Sequence, residues 1–385
     1  RTALITDLLR SGPERGIDES YRDMPEEGVA NWYRARGARV YYSENRFWRR
    51  LFGVIFWELL FNRENAALHN NFEKRPRDLD NGTFYHRQEA DIEQVLLSFD
   101  DVNGLHRRLL NTVAREYGKA NSIFRWTPDI LDMLRDCLFA LPTSGLAEMM
   151  RRMARDFRGN CSGYPDLVVI EKSSARFVEV KAEGDQLRRN QLKQITALER
   201  AGIPVTVDRI KWALDPDQSY VVVDIETTGR RGGSNRITEI GAIRMRGNKI
   251  IDTWHHLINP GRSIPKSITR LTGIEDRMVA NAPRFAEIAD SLSQYSEGCI
   301  FVAHNVRFDY GFICDEFRRL DQSFYRPTFC TVSGMRRWYP GLASYSLGNL
   351  CRELDISLEQ HHRALFDARA AAELLVLINK RRAAC

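Results

Sequence analysis

The stretch Val221-Val-Val-Asp-Ile-Glu-Thr-Thr-Gly229 decides how the second half of the chain folds. Its apolar residues predict a buried strand, and Asp224 and Glu226 lie near the end of that strand. Side chains two residues apart share one face of a strand, so the two carboxylates point the same way. Such groups repel one another unless a cation lies between them, and oxygen ligands of this kind suit Mg²⁺ or Mn²⁺. Taken alone, the pair is also compatible with solvated acids at an ordinary strand end.

Two later motifs supply further acids in a matching arrangement. His304-Asn-Val-Arg-Phe-Asp309 follows a second apolar strand, and Asp309 is predicted on the first turn of the next helix. His362-Arg-Ala-Leu-Phe-Asp367 opens the last helix, with His362 on the preceding loop. Four carboxylates can hold two metal ions, and a histidine near its ordinary pKa can deprotonate an attacking water. A solvent-exposed histidine without function is the alternative for His362, and the neighbouring His361 lacks the five-residue offset from Asp367.

Together these motifs resemble the DEDDh (DnaQ-like) exonuclease superfamily over residues 218–382. The predicted elements fit its α/β order: strands at 220–225, 237–245, 250–258 and 300–303, and helices at about 306–320, 344–354 and 363–382. The resemblance implies an RNase H-like fold that removes nucleotides from a 3′ end with two Mg²⁺ or Mn²⁺ ions. It implies Asp224, Glu226, Asp309 and Asp367 as metal ligands and His362 as general base, with Thr227 and His304 beside the terminal nucleotide.

A second set of acids lies in the first half of the chain. Gly163-Tyr-Pro-Asp166 precedes an apolar strand, and Phe177-Val-Glu179-Val-Lys181 places Glu179 and Lys181 on one face of the next strand. Lysine there can orient a water that Asp166 and Glu179 position through a metal ion. Because surface strands often carry glutamate and lysine, the pattern is weak until its context is added. That context is a β-β-α-β order over about 167–210, with Gln191 on the helix.

This context resembles the VRR-NUC branch of the PD-(D/E)XK nucleases over about 160–212. Upstream, the segment 42–61 (YSENRFWRRLFGVIFWELLF) and Pro76-Arg-Asp-Leu79 are similar to the Fanconi-associated nuclease family. That resemblance implies that Glu44 completes a site for one or two metal ions. It also implies a monomer that cuts flapped or branched DNA near a 5′ end. The alternative for Glu44 is an ordinary acidic residue at a helix start.

The polar stretch 213–219 (ALDPDQS) separates the two patterns and predicts two domains, 1–213 and 218–382. Residues 1–160 are predicted to be mainly helical, with apolar or amphipathic runs at 27–37, 46–62, 89–117 and 128–158. The predicted fold class is therefore α/β and α+β. A helix-rich N-terminal part with a restriction-endonuclease-like core precedes an RNase H-like exonuclease domain.

Basic residues near the N-terminal motifs are candidates for phosphate contacts. Two groups lie on predicted helices: Arg188, Arg189 and Lys193, and Arg151, Arg152, Arg155 and Arg158. The alternative, a solvated helical face, applies to each arginine taken singly. Trp48 and Trp57 are predicted in the core rather than as base-stacking platforms, because they lie within an apolar helix.

Composition narrows the class of protein without identifying it. A chain of 385 residues with a net charge of +6 tolerates a phosphate-bearing partner but does not require one. Seven scattered cysteines favour neither a zinc site nor a disulfide scaffold, and no apolar run is long enough to cross a membrane. We expect a protein of the cytoplasm, nucleoid or nucleus that is not secreted. Because Arg1 is not a translation start, we also expect a piece of a longer chain.

Two enzymatic hypotheses and one binding hypothesis remain at this point. The first is a metal-dependent DNA nuclease with two active sites, one selective for flapped or branched DNA and one for 3′ ends, in repair or replication. In the second only the 3′ exonuclease is active, for proofreading or RNA trimming, and the N-terminal part docks nucleic acid. In the third the protein is a binding scaffold with inactive sites, which the complete acid sets disfavour.

Overall fold

The computed structural model describes residues 12–61, 76–232 and 234–384, and these residues form two compact units. Of the described residues, 12–15, 25–61 and 76–211 belong to the first unit, and 16–24, 212–232 and 234–384 belong to the second. Gly16–Met24 thus clusters with the second unit, although it precedes the first unit's helices in sequence. Within the second unit, the buried Asp18 carboxylate accepts a 2.7 Å hydrogen bond from Arg382 Nη2.

Helices make up most of the first unit. They are α1 Pro25–Arg34, α2 Arg46–Ile55, α3 Trp57–Phe61, α4 Arg77–Asn81, α5 Phe84–Arg87, α6 Glu89–Leu97, α7 Val102–Glu116, α8 Ile130–Ala140, α9 Thr143–Arg155, α10 Phe157–Asn160 and α11 Arg189–Arg200. Short 3₁₀ turns cover Glu19–Tyr21, in the second unit, and Ser98–Asp100. The predicted helical runs are present but divided, since 89–117 and 128–158 each contain more than one helix. Residues 1–11 and 62–75 of the predicted helical region lie outside the described residues.

A five-stranded sheet anchors this helical layer. Its strands are β1 Glu14–Ile17, β2 Arg39–Tyr42, β3 Leu167–Glu171, β4 Ser174–Lys181 and β5 Val205–Trp212. The order is β1-β5-β4-β3-β2, with β4 parallel to β5 and the pairs β3–β4 and β2–β3 antiparallel. The β3-β4-α11-β5 unit has the predicted order. Sequence reasoning missed β1 and β2, because four residues are too few to show a reliable alternation.

One large apolar core holds α2 against the sheet and the surrounding helices. Trp48 is fully buried, and its ring stacks on Tyr164 at 4.9 Å and on Phe177 at 5.3 Å between ring centroids. Trp57 is also buried, with 5% of its surface exposed. Both tryptophans therefore pack inside the protein and are not surface stacking platforms.

The second unit has the α/β order that its motifs indicate. Its strands are β6 Ser219–Thr227, β7 Ile237–Arg246, β8 Lys249–Leu257, β9 Ile300–Ala303 and β10 Thr328–Cys330. Its helices are α12 Lys266–Thr272, α13 Asp276–Val279, α14 Phe285–Tyr295, α15 Val306–Arg318, α16 Thr331–Trp338, α17 Leu347–Glu353 and α18 Ala364–Ala383. The sheet order is β10-β9-β6-β7-β8, and β6 lies at its centre, parallel to β9 and antiparallel to β7. A central strand is buried on both faces, which explains why 220–223 is continuously apolar.

The predicted fold class is confirmed: a helix-rich N-terminal part with a mixed sheet precedes an α/β domain built on a second mixed sheet. Among the described residues, no helix has the length and apolarity required to span a membrane.

We expect Trp48→Ala to lower the free energy of unfolding of the first unit by about 3–5 kcal/mol, because the change leaves a large cavity between Tyr164 and Phe177. Circular dichroism during chemical denaturation measures the loss. The control is Leu97→Ala, which alters a side chain that is 68% exposed and is expected to cost about 0.5 kcal/mol or less. Equal effects of the two changes would contradict the packing role of Trp48.

Candidate functional site

Three acidic side chains converge at the end of β6. Carboxylate oxygens of Asp224, Glu226 and Asp367 lie within 4.8 Å of one another. Glu226 and Asp367 have exposures of only 9% and 4%. Asp224 and Glu226 come from one face of β6, as predicted, and Asp367 comes from the first turn of α18.

Asp309 lies beside this group on the first turn of α15 and is 3% exposed. One of its oxygens, Oδ1, accepts a hydrogen bond from the Ile225 backbone N–H at 3.2 Å, which ties the helix to the strand between the other two acids. The helix N-terminus also favours a negative charge at this position. Left-handed residues precede both acid-bearing helices, namely Asn305 with φ 74° and His362 with φ 67°.

Electrostatic repulsion within this cluster is reflected in its pKa values. Burial, followed by the charges of Asp309, Asp367 and Glu226, raises the pKa of Asp224 well above its ordinary value. Burial and the charges of Asp367 and Glu239 raise the pKa of Glu226 to about 8. Burial also raises the pKa of Asp309. A divalent cation would relieve this repulsion, so the donor set fits such an ion.

The two adjacent histidines contact Asp367 in different ways. His361 Nδ1 lies 3.1 Å from Asp367 Oδ1, whereas His362 contributes its backbone N–H to Asp367 Oδ2 at 3.1 Å. Their rings stack with 3.8 Å between centroids. Burial and the neighbouring His361 lower the pKa of His362, which keeps its ring neutral near pH 7 and able to accept a proton. The assignment of the general base to His362 rather than His361 stays a prediction.

Thr227 and His304 flank the acids but are bonded within the protein. The Thr227 hydroxyl donates to the Gly229 carbonyl at 2.7 Å. His304 Nε2 lies 3.0 Å from the Tyr345 carbonyl, to which it must donate, and Nδ1 lies 3.0 Å from the Thr331 hydroxyl. Only the face of the His304 ring therefore remains for a nucleotide, and the predicted contact is untested.

Sequence reasoning missed Glu239, which supports the cluster from the neighbouring strand. Glu239 is paired with Glu226 across β6 and β7 and is fully buried. Its carboxylate accepts from Arg363 Nη2 at 2.8 Å and the Ala364 N–H at 3.0 Å, and lies 2.7 Å from His255 Nε2. Burial alone would raise the pKa of Glu239, but the His255 ring, the Arg363 guanidinium and the Ala364 N–H outweigh it and lower the value to about 2. The carboxylate thereby fixes the start of α18, which carries Asp367.

Gly241 is the second support of α18. It is paired with Asp224 in the sheet, and a Cβ atom there would lie 2.4 Å from the Ala364 carbonyl carbon and the Leu365 nitrogen. Since backbone atoms cannot move aside cheaply, only glycine lets the helix start approach β7 this closely. The sequence shows a glycine in a strand, which signals a close backbone approach without saying to what.

A separate acidic cluster lies at the ends of β3 and β4 in the first unit. Glu179 is fully buried, and its Oε1 lies 2.7 Å from Lys181 Nζ and 2.5 Å from Gln191 Nε2. Its other oxygen, Oε2, is buried without a hydrogen-bond partner in the described structure. Asp166 Oδ2 accepts from the Val180 N–H at 2.8 Å. An unpaired buried carboxylate oxygen is costly, so this donor set also fits a cation.

Charges in this cluster repel as they do in the other one. Burial and the charge of Glu179 raise the pKa of Asp166 to about 7. Burial raises the pKa of Glu179, while Lys181 acts in the opposite direction and Glu44 and Glu26 add to the increase. Glu26, on the first turn of α1, was missed because acids at helix starts are common for other reasons.

The turn after strand β2 places the backbone of Glu44 beside Asp166, but the ligand atoms of Glu44, Asp166 and Glu179 do not all lie within 4.8 Å of one another in the described structure. Tyr42 pairs with Leu167, and the chain then turns so that the N–H groups of Ser43 and Glu44 donate to the Asp166 carbonyl at 2.8 and 3.2 Å. Glu44 is exposed, unlike Asp166 and Glu179, and lies one residue before the left-handed Asn45 that caps α2. Its predicted role as a metal ligand remains a prediction.

The predicted phosphate-binding residues differ in whether their side chains are exposed or are already bonded to other protein groups. Arg151 is paired with Glu93 at 2.7 Å and Glu148 at 2.8 Å, whereas Arg152 donates to Gln194 at 2.6 Å and Lys193 to the Gly159 carbonyl at 2.9 Å. Arg155 donates to the Tyr85 hydroxyl at 3.2 Å. Arg188, Arg189 and Arg158 are exposed. A groove of about 1670 Å³ between α9 and α11 is lined by Arg152, Arg189, Lys193 and Arg200 among others.

Comparisons with known proteins match each unit separately. A family model described as an exonuclease (RNase T) matches residues 221–375, and a VRR-NUC domain model matches residues 103–212. The second match begins after Glu44 and therefore does not include it.

Proteins of known sequence that are similar to this chain match less than half of it. A PolC-type DNA polymerase III of Caldanaerobacter subterraneus subsp. tengcongensis is 35% identical over 175 residues, which cover 46% of this chain and 12% of that protein. The 3′-5′ exonuclease DinG of Staphylococcus saprophyticus is 41% identical over 160 residues, covering 41% of this chain and 18% of that protein. The chain thus spans less than a fifth of the length of either relative.

Solved structures similar to this chain include paFAN1 bound to a 2-nucleotide 5′-flap DNA with a gap, at 26% identity and a TM-score of 0.48. That similarity covers 53% of this chain and 38% of the other. Exonuclease X in complex with 5′-overhanging duplex DNA is 30% identical with a TM-score of 0.35, covering 42% of this chain and 91% of the other.

We expect Gly241→Ala to weaken Mn²⁺ binding at the Asp224 cluster by about tenfold or more, because the added methyl group displaces the start of α18 and with it Asp367. Calorimetric titration with Mn²⁺ measures the change. Gly16→Ala is the control, since a Cβ there would lie at an ordinary 3.8 Å from Ala213 Cβ. Unchanged Mn²⁺ affinity in Gly241→Ala would contradict the positioning role of this glycine.

Glu226 gives the metal-free protein a pH-dependent stability. Its folded pKa of about 8 lies above the ordinary 4.5, so ionisation destabilises the folded state as the pH rises between these values. In EDTA at about pH 8, Glu226→Gln should therefore be more stable than the parent by on the order of 1–3 kcal/mol. At about pH 5 the two proteins should differ little. Thermal unfolding in EDTA at both pH values is the test, and a Glu226→Gln variant less stable at pH 8 would refute the electrostatic account.

Proposed function

We propose that this chain, in which a VRR-NUC domain precedes an exonuclease domain of the RNase T type, is a divalent-metal-dependent DNA nuclease with two separate active sites. The observation that carries the proposal is the presence of two buried groups of carboxylates, each with raised pKa values and each at the end of a buried strand. Either group costs free energy when empty, and a bound cation offsets that cost.

In the exonuclease domain, we assign the metal site to Asp224, Glu226, Asp309 and Asp367. Two Mg²⁺ or Mn²⁺ ions held there would activate a water and stabilise the charge that develops on the scissile phosphate. His362, kept neutral by burial and by its neighbour, accepts the proton of the attacking water. Thr227 and His304 flank the terminal nucleotide, and Glu239 with Arg363 holds α18 in place.

In the VRR-NUC domain, Asp166, Glu179 and Glu44 would hold one or two ions of the same kind. The unpaired Glu179 Oε2 is available as a ligand, while Oε1 is held by Lys181 and Gln191. Lys181, fixed by these contacts, orients the attacking water or the phosphate. Arg188, Arg189 and Lys193 then hold the strand without reading its sequence.

The proposed substrates are flapped or branched DNA for the first domain and 3′-ended strands for the second. The similarity of residues 42–61 to Fanconi-associated nucleases supports the former. The DinG relative, described as a 3′-5′ exonuclease, supports the polarity of the latter. We place the activity in repair or replication-associated processing, in a monomer, within the nucleoid or nucleus, and RNA remains an alternative substrate. A purely docking role for the first domain is disfavoured, because binding DNA without cutting it does not require a buried, unpaired carboxylate oxygen such as Glu179 Oε2.

Two single substitutions separate the proposed activities. Glu179→Ala should reduce cleavage of 5′-flap DNA by at least about a hundredfold and spare mononucleotide release from a single strand. Asp224→Ala should do the reverse, since it removes the ligand from the other cluster. Product lengths on denaturing gels, with Mg²⁺ and with EDTA, distinguish the two outcomes.

Matched controls for these variants are Glu183→Ala and Asp290→Ala, which alter exposed acids in the same domains. Both should cut like the parent. Undiminished flap cleavage by Glu179→Ala would refute the first assignment. Undiminished mononucleotide release by Asp224→Ala would refute the second.

A further inference from the structure

A basic pocket lies beside the VRR-NUC acids, at the start of α2. One wall is formed by residues 44–50 and the other by the loop 123–128, and the cavity has a volume of about 480 Å³. We call it the arginine pocket, because Arg46, Arg49, Arg50 and Arg125 line it. Its volume falls within the range of ordinary ligand sites. None of these arginines was among the predicted phosphate-binding residues.

The charge of this pocket is poorly neutralised. In the described structure, the side chains of Arg46 and Arg125 are exposed and make no ion pair or hydrogen bond. Arg49 donates only to the carbonyl and the sulfur of Cys161, at 2.9 and 3.8 Å. Four guanidinium groups therefore face a cavity whose single lining carboxylate is Glu44.

Arg50 forms part of the interior of the pocket and carries a buried charge. Its side chain is 6% exposed and its nearest carboxylate, Asp129, is 3.8 Å away and 57% exposed. It donates to the Thr127 hydroxyl at 2.7 Å and to the Met133 sulfur at 3.2 Å, both of them neutral groups. A buried cation without a close anion is costly, and an anionic ligand in the pocket would offset that cost.

Packing fixes the loop that forms the opposite wall of the pocket. A Cβ atom at Gly53 would lie 2.4 Å from the Phe124 ring, so this glycine lets the loop pack against α2. The Trp126 ring packs on Phe124 at 4.7 Å and on Trp57 at 5.6 Å, and its Nε1 donates to the Lys119 carbonyl at 2.8 Å. The loop is thus fixed before any ligand arrives, which limits the entropic cost of binding.

The position of the pocket indicates which anion it takes. Glu44 lines the pocket and its backbone N–H donates to the Asp166 carbonyl, so the pocket adjoins the acidic cluster of the same unit. A strand with its scissile phosphate at that cluster carries further phosphates on either side. Guanidinium groups bind phosphate oxygens in paired hydrogen bonds, unlike the point charge of lysine.

We propose that the arginine pocket binds a backbone phosphate of the strand held at the VRR-NUC acids, next to the phosphate that is cut. The pocket would thereby fix the register of the strand and the position of the cut. This inference rests on the proposed nuclease function of the first domain. A phosphomonoester at a strand end offers the same chemistry, and strands with and without a 5′-phosphate distinguish it from an internal phosphodiester.

The test uses Arg46→Ala together with Arg125→Ala, two exposed changes outside the proposed catalytic set. In a background carrying Glu179→Ala and Asp224→Ala, a fluorescent single-stranded oligonucleotide should remain intact, and its affinity is read by anisotropy in Mg²⁺ at several salt concentrations. We expect about tenfold weaker binding. A plot of the logarithm of the affinity against the logarithm of the salt concentration has a negative slope. This slope should become less steep by about 0.7 for each lost contact between an arginine and a phosphate. The control pair is Arg107→Ala with Lys211→Ala, which removes the same charge from exposed positions that do not line the pocket.

Oligonucleotides with a 5′-phosphate and with a 5′-hydroxyl form the two arms. An equal loss of affinity for both oligonucleotides supports binding of an internal phosphodiester, as proposed. A loss of affinity for the 5′-phosphorylated oligonucleotide alone would overturn that choice in favour of a terminal phosphate. Affinities matching those of the control pair in both arms would overturn the site itself. Binding can be measured without cleavage, so the two proposals can fail separately. If the parent protein cuts no DNA, yet the two arginine substitutions still weaken binding, the proposed nuclease function is refuted and the phosphate site in the arginine pocket stands.

In the cleavage-competent protein, the same pair of changes should spread the cuts on 5′-flap DNA over neighbouring positions. The control pair should leave the cut position unchanged. An unaltered cut position in Arg46→Ala, Arg125→Ala, alongside normal affinity, would overturn the role of the pocket in fixing the register.

Discussion

Repulsion among buried carboxylates is the constraint on which both halves of this protein depend. At the end of β6 and at the ends of β3 and β4, acidic groups lie in partly dehydrated surroundings where their charges cannot all persist unaided. A protein selected for stability alone would replace such groups with apolar ones, since a buried uncompensated charge costs several kcal/mol. Their presence in two units with different folds indicates that each cluster serves a charged partner, and the hard oxygen donors match a divalent cation.

Ordinary backbone features hold these acids together. Strand alternation aligns Asp224 with Glu226, and helix starts present Asp309 and Asp367 to them. The start of α18 can lie close to β7 because Gly241 has no Cβ atom, and the ion pair between Glu239 and Arg363 holds it there. In the first unit, the short strand β2 brings Glu44 to Asp166 through backbone hydrogen bonds. Supporting residues of this kind are not among the proposed metal ligands, yet they determine whether those ligands converge.

The sequence was most informative where local periodicity and chemistry coincide. Asp224 and Glu226 could be placed on one strand face from their spacing alone, and the apolar runs before Asp309 and within the last helix located the other two acids. It was least informative where the decisive partner is distant in sequence. Glu239, Glu26 and the arginine pocket depend on which surfaces the fold brings together, and no local pattern marks them. Strand β2 was missed because its four residues carry too little periodicity, although it positions Glu44. Likewise, the sequence favoured His362 over His361 by offset, whereas the hydrogen bond from a ring nitrogen to Asp367 comes from His361.

The most direct test of this account is a crystal structure of the protein with Mn²⁺, analysed by anomalous scattering. We expect anomalous peaks in contact with Asp224, Glu226 and Asp367 in one unit and with Asp166 and Glu179 in the other, with the Glu179 Oε2 atom as a ligand. A structure in which saturating Mn²⁺ leaves both acidic clusters without a peak would contradict it.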